Sequence, residues 1–359
     1  MFELGRELKR LFAGDRTPEP GGLARGDAAL LELLDLKLLT DEARGADVSA
    51  GRLGEKDKAS RRLDAAAAWR EVARRTGDAA ALRKAAALAE TAAAGFQADR
   101  RTEGWARARC EQAFCALLGA ELFGDPGLDA AAEVAFREVR AAVRGGVATP
   151  LADIGLAAIE ARRKLSTADA AEARALCRAF HAPILALDNQ ARRATSVRPL
   201  AAEARLARAD LLCGWGARLK DEMLLREAVE EAATATLRVD AAYEPLTWAR
   251  AEVAHGQALS LLGETTGEIE LIASGARRLA EAVDHLTRDH SPMDWARTQV
   301  ALAQALQALG EAACDERAFE QAVSCYDRAN LVLRDTPTLP LRAAWPAAPA
   351  PSAWRDRPS

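Results

Sequence analysis

The chain has 359 residues, half of them hydrophobic and only 5% aromatic, with Ala, Leu, Arg and Glu prominent. It is too long for one ordinary compact core and rich in residues that lose little rotamer freedom in a helix. The net charge of -4 gives no general attraction to nucleic acid, no run of about eighteen apolar residues exists to span a membrane, and period-two stretches of Val, Ile and Thr are missing.

The chain opens MFELGRELKRLF. At about 100° per residue, Met1, Leu4, Leu8, Leu11 and Phe12 share one face, Phe2 flanks it, and Arg6, Lys9, Arg10, Glu3 and Glu7 take the rest. This predicts an amphipathic helix over 1–13, cut off by a flexible linker at 14–26. Met1, Phe2, Leu4, Arg6, Leu8, Lys9, Arg10, Leu11 and Phe12 are therefore candidate contacts to an anionic membrane surface. Capping of the domain or docking on a partner is the alternative. No signal-peptide core is visible, so the expectation is a cytoplasmic protein, peripheral at the inner face of the cytoplasmic membrane. Residues 27–56 read as a Leu-rich helix at 27–43 and a flexible link at 45–56; the helix caps the domain or drives self-association.

A repeat domain is expected over 57–336. Its first helix, with Leu63, Trp69 and Val72, stops at Gly77-Asp78, and an Ala-rich helix follows to about Ala94. A third opens with Trp105-Ala106-Arg107 and is expected to end at Gly119. From there the pattern sharpens: EPLTWARAEVAHGQALSLLGE at Glu244 and SPMDWARTQVALAQALQALGE at Ser291 agree at 12 of 21 positions, 47 residues apart. Pro followed by an apolar residue recurs at Pro150, Pro199, Pro245 and Pro292, as suits a first helical turn. The sets Ala209, Leu212, Gly216; Gly256, Leu259, Gly263; and Ala303, Leu306, Gly310 recur inside the units, with the last glycine expected to end each helix in the left-handed conformation. One unit is then an antiparallel helix pair that buries its apolar face only by stacking on its neighbours, five pairs being clear and a sixth weaker.

This pattern resembles the tetratricopeptide repeat (TPR), in the long-period form that reads Pro-x-x-Trp-Ala, then Gln, then Ala-Leu-x-x-Leu-Gly. Pro292, Trp295, Ala296, Gln299, Ala305, Leu306, Leu309 and Gly310 fit it, as do Pro245, Trp248, Ala249, Ala258, Leu259, Leu262 and Gly263; Ala322, Tyr326 and Ala329 match its second helix. The match is specific over 197–336 and looser over 57–195. The resemblance implies an all-α, right-handed superhelical solenoid of stacked antiparallel helix pairs, acting as a bacterial protein-binding scaffold without catalytic residues. First helices of such units line a concave groove, which makes Arg250, Gln257, Arg297, Gln299 and Gln304 candidate protein-binding residues.

Catalytic signatures are absent: no phosphate-binding glycine loop, no nucleophile elbow and no helical metal pair, since His285 and His290 stand five apart. No cofactor, metal or nucleic acid is expected. Cys110, Cys115, Cys177, Cys213, Cys314 and Cys325 read as small buried residues in a reducing compartment. The clusters Arg61-Arg62, Arg74-Arg75, Arg100-Arg101, Arg162-Arg163-Lys164 and Arg192-Arg193 read as solvated faces. The tail at 337–359 carries six prolines, Pro337 to Pro358, with Trp345 and Trp354, and reads as extended or disordered. A non-catalytic adaptor is the leading reading; a homo-oligomeric structural or membrane-remodelling protein is the alternative.

Overall fold

The computed structural model describes residues 31–52 and 54–334. The expected amphipathic helix at 1–13, the linker at 14–26 and the tail at 337–359 lie outside the described residues. Among these residues there are fourteen α-helices and no strand. α1 is Leu36–Ala50, α2 Lys58–Thr76, α3 Ala79–Ala98, α4 Thr102–Phe123, α5 Pro126–Ala142, α6 Ala148–Arg163, α7 Ala170–Arg178 and α8 His181–Ala191. A short 3₁₀ turn at Thr195–Val197 leads into α9 Arg198–Leu219, then α10 Glu222–Arg238, α11 Pro245–Thr266, α12 Ile269–His285, α13 Pro292–Ala313 and α14 Glu316–Leu333.

The helices form an all-α solenoid of stacked pairs: α2/α3, α4/α5, α6 with the broken α7–α8, α9/α10, α11/α12 and α13/α14. The sixth, weaker pair of the sequence is the one whose second helix breaks, at Ala179–Phe180. Inner helices α2, α4, α6, α9, α11 and α13 each touch the next, and α13 returns to touch α2. The solenoid therefore closes into a ring. Its seam is apolar as well as polar: Leu122 of α4 packs with Met293 and Ala296 of α13 and with Ala329, Val332 and Leu333 of α14.

Local chemistry explains the regularity. The turn between paired helices is built from one left-handed residue and one acidic cap: Gly77-Asp78, Gly124-Asp125, Lys220-Asp221, Gly267-Glu268 and Cys314-Asp315. Each aspartate accepts a main-chain N–H in the first turn of the outer helix, filling an otherwise empty donor. Glu268, one methylene longer, makes no such bond.

Two expectations are corrected here. Gly216, Gly263 and Gly310 do not end their helices; each lies within its helix, and the capping N–H of Lys220, Gly267 or Cys314 donates to its carbonyl. Their missing Cβ admits the partner helix instead: a Cβ on Gly263 would stand 2.8 Å from the Glu268 carbonyl and from the Ile272 nitrogen. Likewise α4 runs through Gly119 to Phe123. In the N-terminal region, the expected helix over 27–43 is broken at 33–35, where Asp35 caps a new helix by accepting the Leu38 N–H at 2.8 Å. That helix runs on to Ala50, through most of the expected link.

The core is built mostly of alanine, with Trp215, Phe96, Phe136 and Phe180 filling the larger gaps. Small residues let helix axes approach closely, most tightly where α11 crosses α12: a Cβ on Gly275 would meet the Gly256 carbonyl at 2.5 Å. Cys110, Cys115, Cys177 and Cys325 are buried and Cys213 partly so, but Cys314 is exposed because it occupies the left-handed turn after α13.

Candidate functional site

Seven residues make almost two helical turns, so residues seven apart stay on one face. On α9 this aligns Glu203, Asp210 and Ala217; on α11, Arg250, Gln257 and Glu264; on α13, Arg297, Gln304 and Glu311. The three columns are offset by 47 residues and face the ring axis. Exposure rises along each column: Arg250 is only 10% exposed, Gln257 half-buried and Glu264 exposed. The axis is shut near the N-terminal ends of these helices and open toward their C-terminal ends.

The shut level is an ionic layer. Arg250 donates from Nε to both Asp294 oxygens at 3.1 Å and from Nη2 to Asp294 at 2.6 Å, and reaches Glu71 at 3.4 Å. Arg74 crosses the ring from α2 to pair with Glu203 on α9, and Arg70 pairs with Glu111 while lying 5.8 Å over the Phe114 ring. Burial alone would raise the Glu71 carboxyl, but Arg250, Arg75 and Arg74 outweigh it and hold it down to about 2. Burial of Asp294 is likewise outweighed by Arg250, which keeps that carboxyl well below the usual range.

The reading of Arg74-Arg75 as a solvated face is therefore corrected. Arg75 is fully buried, bound to Glu71 at 2.9 Å and to the carbonyls of Leu34 and Leu31 at 2.7 Å each. In the other clusters Arg61, Arg101, Arg162, Arg163 and Lys164 pair with acids, as in Arg101 with Asp57 and Arg162 with Asp129.

The open level is acidic. Glu121 of α4 meets Arg297 of α13 at 2.7 Å, and Asp210 of α9 lies near both. Asp210 is solvent-exposed, yet burial among the surrounding helices, with Glu121 adding and Arg297 opposing, pushes its carboxyl up to about 6. Lower still, Glu264 and Glu311 come close enough that burial first and Glu311 second raise the Glu264 carboxyl.

The five predicted groove residues thus part company. Gln257, Gln304 and Arg297 reach the accessible part of the axis, whereas Arg250 is consumed by the ionic layer. Gln299 is buried and turned away from the axis. Its equivalents 47 and 94 residues earlier, Glu252 and Arg205, pair with the outer helix 26 residues on, Glu252 with Arg278 at 2.8 Å and Arg205 with Glu231. At 299 the corresponding outer residue is Cys325, and the Gln299 Oε1 has no partner. Asp210, Glu264 and Glu311 were missed by sequence reasoning, although the seven-residue step from Arg250 and Arg297 leads to them. The candidate membrane residues Met1 to Phe12 lie outside the described residues.

Elsewhere, His255 is buried with its ring pushed down to about 4 by burial and by Arg278, and His285 meets Trp248 edge to face at 4.6 Å. Among the described residues no group of three or more His, Cys, Asp or Glu is placed to hold a metal, and no helix is long and apolar enough to cross a membrane.

No family model matches the chain, and no curated protein matches it. Among solved structures it is similar to a "Circular tandem repeat protein with novel repeat topology and enhanced subunit contact surfaces", at 18% identity, over 86% of this chain and 79% of that one, with a TM-score of 0.32.

Proposed function

We propose that this helical-repeat protein is a non-catalytic adaptor of TPR-like units that receives a basic segment of a partner protein at the open end of its axis. The observation that carries this reading is the charge of that end: the acids Asp210, Glu121, Glu264 and Glu311 gather there, with Arg297 paired to Glu121, and the mouth lies at the C-termini of the inner helices, whose dipoles also favour cations. Gln257 and Gln304 supply neutral hydrogen-bonding groups between the acids.

The test is fluorescence anisotropy of a labelled Lys/Arg-rich decapeptide on the full chain. Binding should weaken at least tenfold in Asp210→Asn/Glu264→Gln/Glu311→Gln and rise in Arg297→Gln. Equal affinity across the three proteins would sink the reading.

Recruitment to a membrane is a separate part of the proposal and rests on the pattern of Met1 to Phe12 alone. Full-length protein should co-sediment with anionic vesicles and lose this in Leu8→Glu or Phe12→Glu; unchanged pelleting removes the membrane from the model of action.

A further inference from the structure

The turn Leu31–Leu34 is held like a bound peptide. Three of its four carbonyls are read by side chains from elsewhere: Leu31 and Leu34 accept from Arg75 of α2 at 2.7 Å each, and Glu32 accepts from His290 Nε2 at 2.8 Å, just before α13. Since a carbonyl only accepts, that imidazole carries its proton on Nε2. The Glu32 side chain, 4% exposed, accepts the Thr247 N–H at 2.8 Å and the Thr247 hydroxyl, 215 residues away.

Those bonds place Glu32 at the first turn of α11, whose own N-cap residue Glu244 makes no capping bond. Glu244 is engaged instead with the Asp240 N–H and with Arg198. The capping acceptor that helix α11 lacks locally is thus supplied from the other end of the chain. One short turn touches the first inner helix and the starts of the last two, which are the elements that meet at the ring's seam.

We infer that Leu31–Leu34 is a clasp seated in a peptide-recognition site of α2, α11 and α13, and that its release opens the seam of the ring. The charged and titratable groups around it are Glu71 and Arg75 on α2, Arg250 on α11, His290 and Asp294 beside and on α13, and Asp35 on the clasp itself. Burial first, opposed by Arg250 and Thr247, pushes the Glu32 carboxyl up to about 7, so the seat tolerates a neutral acid and an amide of the same shape.

The test is hydrogen exchange by mass spectrometry on the full chain, comparing wild type, Glu32→Gln and Glu32→Ala. Expected is at least a tenfold rise in Glu32→Ala across the whole seam: the last turn of α2, the first turns of α11 and α13, and the α4–α14 contact around Leu122 and Leu333. The α9–α10 contact should stay protected, and Glu32→Gln should match wild type. A rise confined to the amides of Thr247 and Trp248 would overturn the clasp, leaving Glu32 a local cap. Should Glu32→Ala exchange throughout as an unfolded chain, Thr247→Val reads the same seam: a rise along the seam alone supports the clasp, and a uniform rise or a local one overturns it. None of these readouts involves peptide binding at the axis, so the clasp and the adaptor reading fail separately.

Discussion

Arg250 separates a closed ring from an open groove. In a groove its side chain would sit in water and Arg250→Met would change little. In the ring it is 10% exposed and joined to Asp294, 8% exposed, and to Glu71, 10% exposed, with Glu203 at 3.9 Å. Removing one partner of a buried ion pair leaves the other charge stranded, at a cost of about 3–5 kcal/mol. Arg250→Met strands Asp294, while Glu71 keeps Arg75 at 2.9 Å, so the expected loss lies within that range, about 3–5 kcal/mol. Gln304→Met, on the exposed part of the next column, should stay within about 0.5 kcal/mol of wild type. Urea denaturation followed by helical circular dichroism at pH 7 measures both. The deficit of Arg250→Met should shrink as pH falls below about 4, because Asp294, which Arg250 holds well below the usual carboxylate range in the wild type, takes up a proton and the stranded charge is removed. A loss of less than about 1 kcal/mol at pH 7 would refute the filled axis and restore the open groove.

Burial raises the carboxyls of Glu32 and Asp64 to about 7, so the folded state holds protons there that the unfolded chain releases, and these two groups lose stability as pH rises from about 4 to 7. His255, pushed down to about 4, opposes them over the same range because the unfolded chain protonates it first. For Glu32 alone the loss is about 3 kcal/mol, and Glu32→Gln should flatten that part of a melting-versus-pH curve. Glu268→Asp should stabilise by about 0.5–1 kcal/mol in thermal melts, by restoring the cap that its aspartate equivalents make. Lys220→Gly should also raise the melting temperature, by relieving a left-handed conformation (φ 52°) that costs a side-chain-bearing residue about 1 kcal/mol. Gly275→Ala should cost about 2 kcal/mol or more, since its Cβ would meet the Gly256 carbonyl at 2.5 Å.

The helix pairs were legible because their signals are local and repeat. Pro245 and Pro292 open α11 and α13 as first residues, and the 47-residue offset carries over to caps, columns and cross-helix pairs. The glycines were legible as special but ambiguous in meaning, since ending a helix and admitting a neighbour both favour a missing Cβ. The residues that truly take the left-handed turn include Lys220 and Cys314, which nothing in composition marks. Closure was not legible. Its contacts, such as Glu32 with Thr247 or Leu122 with Met293, join unlike positions of distant units and follow no period. Arg250 and Arg297 occupy equivalent places in the repeat, yet only the first is swallowed, because the seam brings α2 and not α4 against it.

A linear array of repeats can be lengthened by a copy at either end, and its terminal faces need special sequences to stay soluble. Here each end is the other's cover. The number of helix pairs is therefore an angular quantity, like the strand number of a barrel. A duplicated 47-residue block would not extend the molecule; it would hold α13 away from α2 and expose Leu122 and Met293 to water. Growth by unequal recombination, the ordinary route by which repeat proteins change size, is barred to this chain unless the arc of every unit changes with it.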